Sequence, residues 1–187
     1  MKRRIVVPVS LALALTVALA GCGDSAETST SKTWAGTICT GADDLRVALS
    51  DAVGATDSAR KLDSLAAMKQ AISGPTTQIQ KSIEKLDEAF SSTDILGTPL
   101  EIARNSIGKQ LTQVFPLYDA IDTANSALAA AKDASAGATA VSTLNNALAM
   151  GLPSVASLNV SIAGFKVNQD KVIKSAFVDA PECKKIK

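Results

Sequence analysis

Three cysteines are the residues of this chain best able to do covalent chemistry. Cys22 closes the tetrapeptide Leu19-Ala20-Gly21-Cys22. An aliphatic residue, two small residues and a thiol in that order form a lipobox. The small side chains suit a narrow peptidase groove, and the thiol takes a diacylglycerol. Cys39 and Cys183 remain as an even pair near the two ends of the chain after that point. Outside the cytoplasm such a pair is expected to be oxidised. There is no Cys-x-x-Cys, so the expectation is a structural disulfide rather than a redox couple.

Other chemistry is thinly represented. The sequence contains no histidine, which removes the commonest general base and the commonest metal ligand. Paired carboxylates remain: Asp43 with Asp44, and the group Glu84, Asp87 and Glu88. At helical spacing the latter three share a face turned away from Ile83, Leu86 and Phe90. That face also carries Lys81 and Lys85, so surface ion pairs account for it. No calcium loop, Glu-x-x-His pair or glycine-rich phosphate loop is present. No catalytic residue, no metal site and no cofactor are expected. Phe115 and Tyr118 flank Pro116, where a kink opens a helix backbone, and they form the one candidate ligand pocket.

The start of the chain places this chemistry in a compartment. Lys2, Arg3 and Arg4 form a basic head, and an apolar run from Ile5 to Ala20 follows. A spanning helix needs about 20 apolar residues. This run is shorter and ends in small residues, as a cleaved export signal does. Residues 1–21 therefore read as a lipoprotein signal peptide. The expected location is the extracytoplasmic face of the cell membrane, held by diacylglycerol on Cys22, since two acyl chains give stable attachment.

Cleavage before Cys22 removes three of the 19 basic residues and none of the 18 acidic ones, so 16 positive charges face 18 negative ones, a net charge of −2. No basic stripe of the kind that neutralises phosphates is present, and nucleic acid is not an expected partner. The stretch from Lys166 onward holds six Lys against three acidic residues and reads as a solvated tail, with a small attraction to an anionic membrane as the alternative.

The elements that position these residues follow from apolar spacing. Residues 22–33 are the lipidated cysteine and a Gly-, Ser- and Thr-rich stretch without apolar period, read as a flexible tether. From Trp34, the residues Ile38, Leu45, Leu49 and Ala52 mark one face of a first helix. A turn at Gly54 follows, with Asp57 capping the next helix. Leu65, Ile72, Ile79 and Leu86 are seven apart across Gly74-Pro75, which predicts one long helix bent at Pro75, with two collinear helices as the alternative. Thr98-Pro99-Leu100-Glu101 is a capping box with Pro at the first helical position. It opens a third helix with the heptad Leu100, Ile107, Val114, Ile121 and Leu128, kinked at Pro116. Gln110 and Gln169 fall on heptad faces among apolar residues and suggest a register-fixing polar layer or a bundle end.

Ser135-Ala136-Gly137 marks the last turn. A fourth helix, kinked at Pro153, then carries Val141, Leu148, Val155 and Ile162, with Leu144, Leu158, Phe165 and Val172 in the intermediate layers, and ends near Phe177. Gly151 stands where two backbones must approach closely. Phe90, Phe165 and Phe177 read as core, and Trp34 as core or end-of-bundle packing.

The fold expected for residues 34–187 is all-α, an up-down-up-down four-helix bundle with Pro-kinked long helices. A domain of about 150 residues buries close to 70% of its chain surface and folds without a partner. In this topology the start of the first helix and the end of the fourth lie together, which brings Cys39 to Cys183.

The two ends of the domain carry a resemblance. Trp34-Ala35-Gly36-Thr37-Ile38-Cys39 and Ala176-Phe177-Val178-Asp179-Ala180-Pro181-Glu182-Cys183 resemble the Trp-Ala-x-x-x-Cys opening and Ala-Phe-x-x-Ala-x-x-Cys ending of an uncharacterised group of small secreted or lipid-anchored actinobacterial proteins. The resemblance implies the helical architecture and the bridge. It implies no activity, and no functional residue is carried over from it. The expected role is a non-catalytic protein-interaction or structural module of the cell envelope with an envelope protein as partner. A small-molecule-binding helical bundle is the alternative.

Overall fold

The computed structural model describes residues 23–186, with side chains from residue 29 onward. Cys22 and the signal segment lie outside the described residues. Among the described residues the fold is all-helical: α1 (Gly23–Ala59), α2 (Leu65–Ser91), α3 (Leu100–Ala130), α4 (Ala134–Phe165), α5 (Lys171–Asp179) and a closing 3₁₀ turn (Pro181–Lys185).

The heptads placed in the sequence form the core. Ile38, Leu45 and Leu49 of α1 are fully buried, as are Ile107, Leu111, Val114 and Ile121 of α3. On α4, Val141, Leu144, Leu148, Val155, Leu158 and Ile162 face inward. α1 packs against α2 and α4, and α3 packs against α4 and α2. The indole Nε1 of Trp34 donates to the Ala89 carbonyl, joining the front of α1 to the end of α2. Lys69 at the front of α2 donates to the Ala129 carbonyl at the end of α3. α1 and α2 therefore run antiparallel, as do α2 and α3.

Three of the six prolines sit inside continuous helices: Pro75 in α2, Pro116 in α3 and Pro153 in α4. Around Pro75 the Thr76 and Thr77 hydroxyls donate to the Ile72 and Ser73 carbonyls of the preceding turn. Glycines let the helices close up where a side chain would intrude. A Cβ on Gly151 would stand 2.7 Å from Leu117 Cδ2, and one on Gly108 2.5 Å from the Phe90 ring. The close approach expected at Gly151 is thus present between α3 and α4.

The helix boundaries differ from expectation in four places. Residues 23–33, expected as a flexible tether, form the first turns of α1. Their Ser and Thr content suggests coil, yet Thr33 and Thr37 hydroxyls bond to carbonyls four residues back and Ser31 is buried. The helix continues because its next turns are fixed by Trp34 and Ala35 in the core.

The expected turn at Gly54 and cap at Asp57 are both inside α1. The break falls at residues 60–64, and Ser64 is the cap of α2. Gly54 costs the helix roughly 1 kcal/mol of propensity, too little to end a helix packed on two neighbours.

Ser135-Ala136-Gly137 is likewise not a turn but the first turn of α4. Asp133 caps it, accepting from the Ala136 N–H at 2.8 Å. A Cβ on Gly137 would meet Leu65 Cδ1 at 2.7 Å, so this glycine serves packing rather than chain reversal.

The fourth helix ends at Phe165, not near Phe177, and α5 makes a fifth helix in place of the expected four. Asp170 starts it, accepting from the Val172 and Ile173 N–H groups at 2.8 and 3.1 Å. The turn before it shifts the helical phase, so Ile173, Ala176 and Phe177 are buried while Val172 is exposed. Gln169 lies exposed in that turn, at an end of the bundle rather than in a polar layer. Gln110 accepts from the Ser157 hydroxyl at 2.8 Å across the exposed α3–α4 seam, so it too lies outside the core.

The start of α3 follows its capping box with one shift. Thr98 Oγ1 accepts from the Leu100 N–H, while Glu101 reaches back to the Gly97 N–H rather than to that of Thr98. Gly97 has φ +75°, a left-handed conformation that glycine adopts without steric cost. The loop before it inserts Ile95 into the core.

Candidate functional site

The closed end of the bundle is built around Cys39 and Cys183. They form a disulfide with their Cα atoms 5.0 Å apart across 144 residues of sequence. Both are fully buried. Cys39 is placed by α1 and Cys183 by the 3₁₀ turn after α5. The turn is held by Lys166, whose Nζ donates to the Cys183 and Ile186 carbonyls. Nothing in the apolar periodicity singles out Lys166, because its partners are main-chain atoms that only the fold brings near.

An aromatic cluster joins three of the helices at this end. The rings of Trp34 and Phe177 meet edge-on at 6.0 Å, and those of Phe177 and Phe165 lie 4.9 Å apart. The three residues come from α1, α5 and α4. Trp34 is 5% exposed with its N–H satisfied, and it belongs to the core at the end of the bundle. Phe90 stands at the edge of the core under the Arg104 guanidinium, 4.5 Å from the ring centre.

Phe115 and Tyr118, the sequence candidate for a pocket, line a surface groove between α2 and α3. Its volume is about 360 Å³, and Ile83, Glu84, Asp87 and Asp119 complete the lining. Tyr118 O–H donates to Glu84 Oε1 at 3.2 Å. That hydrogen bond and the Glu84 charge raise the Tyr118 phenol above its ordinary value, with smaller contributions from partial burial, Asp122 and Asp119.

The expected surface ion pairs within the α2 carboxylate face are not those that form. Lys85 reaches across to Asp44 of α1 at 2.9 Å instead of pairing with Glu84 or Glu88. Asp43 pairs with Arg46 at 2.7 Å. The longer reach wins because α1 lies against that edge of α2 and offers Lys85 a partner beyond its own helix. Among the described residues, no group of three or more Cys, Asp or Glu side chains is arranged to hold a metal ion.

These features define a disulfide-closed helical bundle with an acidic and aromatic groove on its flank. No family model matches the chain, and no curated protein or solved structure matches it either.

Proposed function

We propose that this protein is a lipid-anchored module on the extracytoplasmic face of the cell membrane, where its bundle serves as a non-catalytic protein-interaction or structural element. In this reading the four long helices follow the up-down-up-down scheme, with α5 added to bring Cys183 back to α1. Diacylglycerol on Cys22 holds the chain, and the α1 start leads directly into the domain. The observation that carries the reading is the buried Cys39–Cys183 bridge, which suits an oxidising compartment and lies at the end from which the chain runs back to Cys22.

The turns at the opposite end point outward in this arrangement. They are the segments at 60–64 and 131–133, rich in charge: Arg60, Lys61, Asp63, Lys132 and Asp133. An envelope partner meets the domain there. Photocrosslinking from position 61 in intact cells tests this. A single protein captured reproducibly from position 61 supports the reading, and its absence overturns the interaction role. Intact mass of the membrane-extracted chain reads the anchor independently, since an unmodified Cys22 overturns the lipid attachment.

A second reading, a small-molecule-binding bundle, draws on the α2–α3 groove. Two aromatic walls and three carboxylates suit an organic cation, and 360 Å³ is at the small end of ligand sites. Calorimetric titration with alkylammonium and guanidinium compounds, repeated with Tyr118→Ala, tests it. Heat that persists in the variant, or no heat at all, removes this reading.

A further inference from the structure

We infer that the disulfide end of the bundle is itself a lipid-contact surface, seated on an anionic bilayer beside the anchor; the inference rests on the anchored reading above. The distribution of exposed apolar side chains carries it. Among the described residues, nine large apolar side chains are exposed. Six of them, Leu96, Ile102, Val160, Val167, Val172 and Val178, lie on α5, in the loop and turn of this end, or within five residues of the α3 start and α4 end that meet there. The other three, Val47, Met150 and Leu152, lie on helix flanks, and none lies in the turns of the opposite end.

The most exposed of all is Val167, at 80%, in the turn between α4 and α5. A β-branched apolar residue at the tip of a turn gains nothing from water. The outward turns, which have the same task of reversing the chain, use Lys61 and Lys132 instead. The contrast between the two ends is what a surface with different neighbours above and below requires.

Charge fits the same neighbour. Lys171, Lys174 and Lys184 are exposed on α5 and the closing turn, and none forms an ion pair among the described residues. Several acidic groups at this end are engaged: Asp170 caps α5, Glu101 binds the Gly97 N–H, and Asp179 pairs with Lys32 at 3.6 Å. Glu88, Asp94 and Glu182 remain beside the three lysines. Apolar tips set among lysines are the composition of an interfacial contact, with the lysines drawn to anionic headgroups.

The geometry brings the bilayer within reach. Ser29 and Thr30 of α1 share a groove with Ser92 and Asp94 of the loop before α3. Cys22 precedes Ser29 by seven residues, roughly 10 Å of helical rise. Interfacial apolar groups enter the headgroup and acyl boundary to a depth of about 5–10 Å. An acylated Cys22 therefore leaves little room for a protein between this end and the lipid.

The test uses the full chain, expressed in its host membrane, with benzoylphenylalanine at one position at a time. Val167 is the principal site, because an exposed turn residue tolerates the replacement. Leu96 is the second site. Met150, 72% exposed and some fifteen residues up α4 from its end, roughly 22 Å, is the apolar control. After irradiation, lipid adducts are read by mass. Lipid adducts at positions 167 and 96 with none at position 150 are expected. Protein adducts alone at position 167, or lipid adducts equal at 167 and 150, overturn the inference. So does their absence from all three positions. The mass at Cys22 in the same sample separates the two readings: an acylated Cys22 without lipid adducts at 167 removes the contact surface and leaves the anchor intact.

Discussion

Trp34 and Ala89 are joined by a hydrogen bond from the indole Nε1 to the main-chain carbonyl, 3.0 Å long and buried, across 55 residues of sequence. The bond ties the first core residue of α1, whose ring meets that of Phe177 edge-on, to the last turns of α2. Replacing Trp34 by Phe keeps most of the apolar contact and leaves the Ala89 carbonyl without this partner. A loss of about 1–2 kcal/mol is expected, against about 3–5 kcal/mol for Trp34→Ala. Urea unfolding of the two variants checks the order, and a Trp34→Phe variant as stable as the parent would show that the hydrogen bond contributes nothing.

Removing the disulfide acts mainly on the unfolded chain. A cross-link between residues 144 apart restricts that ensemble by about 4–5 kcal/mol in the chain-entropy account. The double variant Cys39→Ala, Cys183→Ala should fold and unfold at markedly lower urea concentration. A variant as stable as the parent would mean that the bridge only records a proximity the helices already impose. Ellman titration of the unreduced parent should find neither Cys39 nor Cys183 reactive.

Two glycines in helices should respond with opposite sign. Gly54 is exposed in α1, with no atom within 4 Å of an added Cβ. Gly54→Ala should stabilise the fold by about 0.5–1 kcal/mol. Gly151→Ala places its Cβ 2.7 Å from Leu117 and must push α4 from α3 or displace that side chain. A loss of about 1–3 kcal/mol is expected. Thermal unfolding of the pair decides whether close α3–α4 approach is required.

The chain has one tyrosine, so its ultraviolet titration reports Tyr118 alone. The Glu84 hydrogen bond and charge hold the phenol protonated to higher pH than in the unfolded chain. A folded-state value raised in this way contributes stability that is present below the unfolded value and is lost as pH rises through the folded one. The tyrosinate absorbance of the native protein should therefore appear at higher pH than that of the protein in urea. Glu84→Gln should bring the two midpoints closer. An unchanged native midpoint in that variant would exclude Glu84 as the cause.

The core of this protein was legible before any coordinates. Leu100, Ile107, Val114, Ile121 and Leu128 are buried as their seven-residue spacing requires, and Val141, Leu148, Val155 and Ile162 likewise. A long heptad sums many weak preferences into one face, and that sum outweighs the three prolines. The pairing of Cys39 with Cys183 was legible too, since an even pair leaves one partner for each.

Helix ends were harder. Gly54, Gly137 and residues 23–33 each suggested coil from local preference, and each is helical because neighbouring helices supply more stabilisation than a glycine or serine removes. The groove was half visible. Phe115 and Tyr118 are neighbours in sequence, but Glu84 and Asp87 come to them from α2, about thirty residues away, and their lysine partners were reassigned by contact with α1. Periodicity belongs to one helix at a time and is readable from its residues alone. Which polar side chains meet across helices, where α5 turns back toward Cys39, and which apolar side chains stay exposed at one end depend on distances between helices, and tertiary packing alone decides those.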